Sequence, residues 1–238
     1  QIGGFNQAFR SLIPESSAGL VPGTTFDTAG VGFDQSLASG TCFGLEAEWL
    51  TSEGERETGA LRNGSLAQQP DTATSTRQTL DFRERNLSAY LAQLLGNSFS
   101  IGARYRVSEA KLTAHFPDIP AGTPGLTGTP SLPGQEQDER SVLHQLSLTA
   151  NFHHRSGVLA QWESSWFHQG NQGYQPALAD DEFWQHNVFV GYRFPRRYAE
   201  LRLGVLNLTG VDYRLSPLNL HTPLPRERTV VASLRLNF

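Results

Sequence analysis

The sequence predicts an all-β fold, an antiparallel meander of about nine or ten strands that forms a transmembrane β-barrel. Three observations predict it. Apolar and polar residues alternate in nine runs, short and long connections follow one another in turn, and aromatic residues gather at both ends of the apolar faces. Alternation sends successive side chains to opposite faces of a strand, and a barrel strand crosses a bilayer with only about 9 to 11 residues.

Composition excludes several other classes. The chain has 238 residues, one cysteine and a net charge of -4. Cys42 alone forms no internal disulfide, and the acidic balance argues against a nucleic-acid partner. No apolar run reaches the ~18 to 20 residues of a membrane helix. The sequence carries no phosphate-binding loop, paired-cysteine motif or nucleophile elbow, so we expect no cofactor, no metal and no enzymatic activity.

The alternating runs follow one another along the whole chain. They comprise residues 29–37, 43–49, 77–95, 99–108, 142–152, 158–166, 184–194, 199–205 and 230–238. A tenth candidate, residues 3–10, has two adjacent glycines and poor alternation. In the third run Leu80 and Phe82 have the opposite parity to Leu87, so we predict a bulge near residues 84–86 that restores the phase. A helix over residues 87–95 is the competing interpretation.

The connections between runs alternate in length. Residues 38–40, 95–98, 153–156 and 195–197 predict short turns, whereas residues 52–76, 113–139, 169–182 and 209–227 predict long loops rich in Gly, Pro, Asp, Gln and Thr. A meander in which every second loop is long is typical of an outer-membrane barrel, which has short periplasmic turns and longer extracellular loops. We therefore expect residues 1–238 to be one barrel domain in the outer membrane of a bacterium, in contact with its lipid.

The polar faces of the runs predict a barrel interior. Nine charged residues are expected to point into the lumen: Glu46, Glu48, Arg104, Arg106, Glu163, Arg193, Glu200, Arg202 and Arg235. A basic residue facing lipid instead would cost about 2 to 4 kcal/mol at mid-bilayer. We favour a lattice of cross-strand ion pairs over a lining that selects a solute.

Aromatic residues on the apolar faces predict two membrane girdles. Trp49, Trp166 and Trp184 lie next to long loops, and Phe43, Phe99, Phe152, Phe194 and Phe238 lie next to the short-turn end. Amphipathic rings favour the headgroup level of a bilayer, which explains this distribution.

Two segments near the end of the chain suggest a family. Residues 230–238 end on Phe238 with an apolar residue at every second position behind it. This pattern resembles the closing strand that the barrel-assembly machinery reads in bacterial outer-membrane proteins. Residues 203–214, with Asn207-Leu208 followed by Asp212-Tyr213, resemble the penultimate strand of TonB-dependent receptors. The resemblance covers about the last 40 residues, and the other strands share only the alternation of apolar and polar residues.

That resemblance implies uptake or passage of a solute across the outer membrane, with a TonB-type energiser as partner through a further N-terminal region. The family has a plug domain and 22 strands, which this sequence lacks. We expect the chain to be the C-terminal part of a larger barrel rather than a self-contained barrel of ten strands. The alternative function is the barrel of a surface-polymer exporter or anchor with a periplasmic repeat domain.

A third and weaker hypothesis is hydrolysis at the rim. His168, Asp180, Asp181 and His186 cluster around one long loop, and Asp and His pairs at such a rim activate water in some ten-stranded barrels. Loop acids and histidines are common, and one loop does not supply both halves of a split site. His153 and His154 are expected in a short turn, where two adjacent side chains point apart and do not chelate a metal together.

Overall fold

Nine antiparallel strands make up nearly all of the part of the chain that the structure, a computed structural model, describes: residues 13, 25–62, 72–119, 136–174, 176–216 and 224–236. The strands are β1 (Thr25–Ser36), β2 (Thr41–Arg62), β3 (Thr72–Leu95), β4 (Phe99–His115), β5 (Glu136–His153), β6 (Val158–Gln172), β7 (Asp181–Arg193), β8 (Ala199–Leu206) and β9 (Thr229–Leu236). Each strand pairs with the next in one sheet, in the order β1 to β9. The predicted all-β antiparallel meander is confirmed.

The sheet is not closed over the described residues. β1 pairs only with β2, and β9 pairs only with β8. The candidate first strand at residues 3–10 and the terminal Phe238 lie outside the described residues. Closure into a barrel therefore stays a prediction.

The short turns lie where the sequence predicts them. The β1–β2 turn, for example, is closed by a bond of 2.8 Å from the Leu37 N–H to the Thr41 carbonyl. A 3-10 turn at Pro195–Arg197 joins β7 to β8. Gly40 and Gly157 have φ values of 78° and 100°, which glycine adopts without a steric cost.

Three of the four predicted long loops, at residues 52–76, 113–139 and 169–182, begin too early and end too late, whereas the loop predicted at residues 209–227 extends from 207 to 228. β2 continues to Arg62 and β3 begins at Thr72, while β4 and β5 extend to His115 and back from Glu136. Sequence reasoning ended each strand where the apolar alternation ended. Backbone pairing does not end there, because a strand needs its ladder of hydrogen bonds and not an apolar face.

The predicted bulge in the third run is wrong. β3 pairs with β2 from Thr72 to Gln93 and with β4 from Thr79 to Leu95 in an unbroken register. The helix over residues 87–95 is wrong for the same reason, since those residues are paired in β3. Leu80 and Phe82 thus lie on the face opposite to Leu87, and the change of parity has another cause, described below.

Buried hydrophobic residues gather at the long-loop end of the sheet. The cluster consists of Ile13, Leu50, Leu80, Phe82, Ala110, Leu112, Ala114, Phe116, Leu143, Phe167, Phe183, Tyr213 and Leu215. Among the described residues, no helix is long and apolar enough to cross a membrane.

Candidate functional site

The register assigns the strand residues to two faces. We call the face that carries Trp49, Leu148 and Val190 the belt face, and the opposite face, which carries Glu163 and Arg202, the network face. Because partners in an antiparallel pair point the same way, the assignment carries across all nine strands.

An apolar belt crosses the belt face near the short turns. Its large side chains are exposed, and polar residues such as Ser164 and His186 are few among them: Val190 is 54% exposed and Val230 75%. The belt also includes Val31, Phe33, Leu45, Leu87, Leu91, Phe99, Ile101, Tyr105, Trp162, Leu201, Leu203 and Leu234. Soluble monomers rarely expose an apolar patch of this extent.

The height of the belt suits a bilayer. On β4 it runs from Phe99 to Val107, which is about 27 Å along the strand at ~3.4 Å per residue. A strand tilted by ~40° would cover ~21 Å of membrane thickness with this run, close to the ~25 Å apolar band of outer-membrane barrels.

The two faces exchange polarity where the belt ends. On β4 the belt-face residues after Val107 are Glu109 and Lys111, while Ala110 and Leu112 on the network face are buried in the cluster. The other strands from β2 to β7 make the same exchange. This reversal is the physical reason for the change of parity that Leu80 and Phe82 show in the sequence.

An ionic triad lies on the network face near the short turns. Glu200 accepts a hydrogen bond of 2.7 Å from Arg193 Nε and one of 2.6 Å from Arg202 Nε. Arg235 is the cross-strand partner of Glu200 on β9. The predicted cross-strand ion pairing is present at this point of the sheet.

Polar side chains continue from the triad towards the long-loop end. Arg202 Nη1 lies 3.5 Å from Gln161 Oε1, and Gln161 Nε2 donates to Glu163 Oε1 over 2.6 Å. Asn187 Nδ2 donates to the second oxygen of Glu163 at 3.2 Å. Asn187 Oδ1 then accepts the Asn207 backbone N–H at 2.9 Å. One hydrogen-bonded chain therefore links the short-turn end to the β8–β9 connection.

The predicted lumen residues of β2 to β4 lie on the same network face with different partners. Arg106 Nη2 donates to Asn86 Oδ1 over 3.1 Å, and Ser88 Oγ donates to Glu46 over 3.4 Å. Arg104 lies opposite Ser147. In the part of the chain that the structure describes, no ion pair includes Glu46, Arg104 or Arg106. Glu48 also lies on this face, in the same row as Gly30 and Asn86.

A strap crosses the network face at the long-loop end. We use this name for the described parts of the β8–β9 connection, residues 207–216 and 224–228. Gln169 fixes its first part, since Gln169 Oε1 accepts the Ser216 N–H at 2.8 Å. Gln185 Nε2 donates to the Pro225 carbonyl at 2.8 Å and so fixes the second. The strap covers the network face of β6 and β7.

Asn207 organises the start of the strap. It is fully buried, with a left-handed φ of 49° that asparagine tolerates better than most residues. Its Nδ2 donates to the carbonyls of Val211 at 2.8 Å and Pro225 at 3.1 Å, and its Oδ1 accepts the Val211 N–H at 3.0 Å. One amide thus joins both parts of the strap.

Tyr213 anchors the strap in the hydrophobic cluster. Its ring stacks on Phe183 with centroids 5.4 Å apart, and Phe183 in turn stacks on Phe167 at 5.1 Å. The Tyr213 hydroxyl donates to the Leu224 carbonyl at 2.9 Å. Burial raises the pKa of Tyr213 above its ordinary value, so the hydroxyl stays a donor at neutral pH.

An exposed ion pair closes the strap. Arg226 donates to Asp212 through Nε at 2.6 Å and Nη2 at 3.2 Å, and its guanidinium lies 5.4 Å from the centre of the Tyr213 ring. The hydrogen bond from Arg226 lowers the pKa of Asp212 below its ordinary value, with help from the Tyr213 N–H. Both groups are therefore charged at neutral pH.

Most of the predicted girdle residues lie on the belt face. Trp49 and Trp184 are exposed there, and Trp166 pairs directly with Trp184. Phe99 and Phe152 form a cross-strand pair at the opposite end of the belt, with ring centroids 5.4 Å apart. Phe194 follows β7 and packs against Tyr192, whereas Phe238 lies outside the described residues.

The residues of the rim-hydrolase hypothesis do not come together. His168 and His186 lie on the belt face, about 13 Å apart along β7 in the register of the sheet. Asp181 lies on the network face, where it accepts the Arg214 N–H. Asp180 Oδ1 accepts the Asn171 N–H at 2.7 Å. Within the described ranges, no group of three or more His, Cys, Asp or Glu residues has a metal-binding arrangement.

Comparison with known proteins adds no family to these observations. No family model matches the chain, and no curated protein matches its sequence. What the structure defines is a two-faced antiparallel sheet with an apolar belt, a polar network and a strap.

Sequence reasoning missed the structural roles of the strap and the cluster. It placed Asn207 and Tyr213 in a family-like segment but gave them no contacts. The parity of Leu80, Phe82 and Leu143 was the available signal for the cluster. The same parity change at Ala110 and Leu112 was missed because the fourth run was ended at residue 108.

Proposed function

We propose that this chain forms wall strands of a bacterial outer-membrane β-barrel through which a solute passes, in the manner of TonB-dependent receptors. The observation that carries the proposal is the division of one sheet into an apolar belt and a polar network on opposite faces at the same height. In a barrel the belt would face lipid and the network would face the lumen. Outer-membrane lipid and the barrel-assembly machinery are the partners that this location requires, and a TonB-type energiser is the partner that uptake requires.

The strap supports a gated rather than an open route. It lies on the proposed lumen face with Tyr213 and Leu215 buried against β6 and β7, at the end that the long loops occupy. Side chains of mixed charge elsewhere on the same face, among them Arg104, Arg106 and Glu46, offer a polar surface to a solute. The exporter alternative shares this wall and has no separate support among the described residues.

Ion selectivity tests the lumen assignment. The protein reconstituted in planar bilayers should conduct, and Arg104→Gln/Arg106→Gln should shift the reversal potential towards cation selectivity, because two positive charges leave the route. Glu46→Gln should shift it in the opposite direction.

A matched control removes two cations from the short turns, Arg155→Gln/Arg196→Gln, and should leave the reversal potential unchanged. Selectivity that responds to the turn variant as strongly as to the Arg104/Arg106 variant would contradict the proposal.

A further inference from the structure

The charges beyond the belt are arranged in layers. The register places Arg83, Lys111 and Arg140 opposite one another on β3, β4 and β5, all on the belt face. We call these three residues the cation row. Arg85 lies one belt-face position closer to the belt, opposite Glu109.

Acidic residues occupy the next two layers. One position further out on the belt face lie Glu53, Asp81 and Asp138, and one position beyond them lie Glu55 and Glu136. On β3 to β5 the order from the belt outwards is therefore apolar, mainly basic, acidic, with Glu109 beside Arg85 in the innermost charged layer. Phosphate groups at the surface of a bilayer would meet the basic layer first, and the acidic layers would extend into water.

The cation row is costly without an anion nearby. Like charges directly opposite on neighbouring strands destabilise a sheet. Acids on the same face offset this partly: Asp81 lies 3.0 Å from Arg83, Asp138 3.4 Å from Lys111 and Glu109 2.7 Å from Arg140. About half of each basic side chain remains exposed, so these pairs are weak and exchangeable.

A notch lies directly beneath the cation row. Gly170 on β6 is opposite Val142 on β5, and the missing side chain leaves a cavity of about 120 Å³ lined by Arg140, His144 and His168. A Cβ atom at Gly170 would meet no other residue closer than 4.0 Å. The notch therefore opens at the boundary between the belt and the basic layer.

We propose that the cation row and the notch bind the phosphate groups of an anionic lipid in the surrounding leaflet. Arginine and lysine provide the charge-assisted hydrogen bonds that phosphate oxygens accept, and the belt below takes the acyl chains. The proposal rests on the proposed function, because the belt must lie in the bilayer for the row to be at headgroup height.

Lipid titration of the full chain in an uncharged detergent, followed by native mass spectrometry, tests this binding. A phosphorylated glycolipid should bind, and its dephosphorylated form should bind much more weakly. Lys111→Gln/Arg140→Gln should lower the affinity for the phosphorylated form about 25-fold, since each basic residue near a lipid surface contributes about fivefold. Inorganic phosphate at the same concentration should not displace the lipid, which separates a lipid site from a site for free phosphate.

Two further variants make the result decisive. Arg155→Gln/Arg196→Gln changes the net charge equally but lies on the short turns, so it should alter the affinity less than twofold. Glu109→Gln releases Arg140 from its acid and should raise the affinity severalfold. The direction of this change in affinity tests the site even if Lys111→Gln/Arg140→Gln does not fold.

Equal binding of both lipid forms, or equal losses in the row variant and the turn variant, would overturn the lipid site. A chain that enters vesicles of uncharged lipid but does not bind the phosphorylated lipid refutes this site alone. A chain that enters no vesicle refutes the proposed function as well.

Discussion

Asn207 is the residue at which the β8–β9 connection turns back over the network face. Its amide makes hydrogen bonds that a hydrophobic residue of similar size cannot make. Its backbone has a left-handed conformation, which Asn, Asp and Gly adopt with less strain than other residues. The asparagine of the Asn207-Leu208 pair thus has a structural reason to be present, independent of any family resemblance.

Asn207→Ala should destabilise the fold by about 2 kcal/mol, because the Val211 and Pro225 groups lose their partner inside the protein. The measurement is the free energy of unfolding in urea, followed by tryptophan fluorescence. Leu208→Ala is the matched control, since Leu208 is exposed and the change should cost less than about 0.5 kcal/mol. Equal losses at the two positions would show that the Asn207 amide does not hold the strap.

At the scale of elements, the strap depends on an ion pair that titrates in acid. The pKa of Asp212 is lowered in the folded protein, so the stability that its charge provides is complete above the ordinary pKa of an aspartate. That stability is lost as the pH falls through the lowered value. Arg226 keeps its charge throughout, since the same pair raises its pKa.

The Val211 amide should therefore exchange slowly between pH 5 and 7, where the Asp212–Arg226 pair stays charged. The protection of this amide against exchange should fall below about pH 4, where Asp212 becomes protonated. Asp212→Asn should reduce the protection across the whole range and remove the acid step. Asp27→Asn, on β1 away from the strap, should change neither. Retention of the acid step in Asp212→Asn would assign it to another group.

The strands show how far sequence patterns reach. Alternation located all nine strands, because one face of each is apolar over the belt, as in the run from Phe99 to Val107. It failed where the faces exchange polarity, since the pattern of apolar residues then changes parity without any change in the backbone. A bulge explains a parity change at Leu80 and Phe82 equally well from sequence, and only cross-strand pairing distinguishes the two.

The candidate site was less predictable than the strands. Sequence parity placed the nine charged residues on one face, but it did not give their partners, since Arg202 reaches Gln161 across β7 and Glu200 bridges two arginines. The strap was assigned to a long loop because its residues do not alternate. Its contacts with Gln169 and Gln185 come from strands far away in sequence.

At the scale of the whole molecule, the belt is an apolar surface of a kind that soluble proteins rarely expose. Hydrophobic burial in this sheet occurs in the cluster at the long-loop end, whereas the belt side chains touch one another but are covered by no other part of the described chain. If lipid covers the belt, a cation introduced on the belt face makes membrane assembly less favourable in free energy, whereas the same cation on the network face does not.

A comparison of Leu148→Arg with Thr149→Arg shows whether the belt contacts lipid, because the two positions are adjacent on β5 and point to opposite faces. Leu148 lies within the belt, and Thr149 lies on the network face opposite Glu163, which would accept the new guanidinium. We predict that Leu148→Arg prevents assembly into the membrane, at a cost of about 2 to 4 kcal/mol. Thr149→Arg should assemble to near wild-type levels, measured as the protease-resistant fraction in outer membranes. Equal assembly of the two variants would mean that the belt face does not contact lipid and would contradict the account.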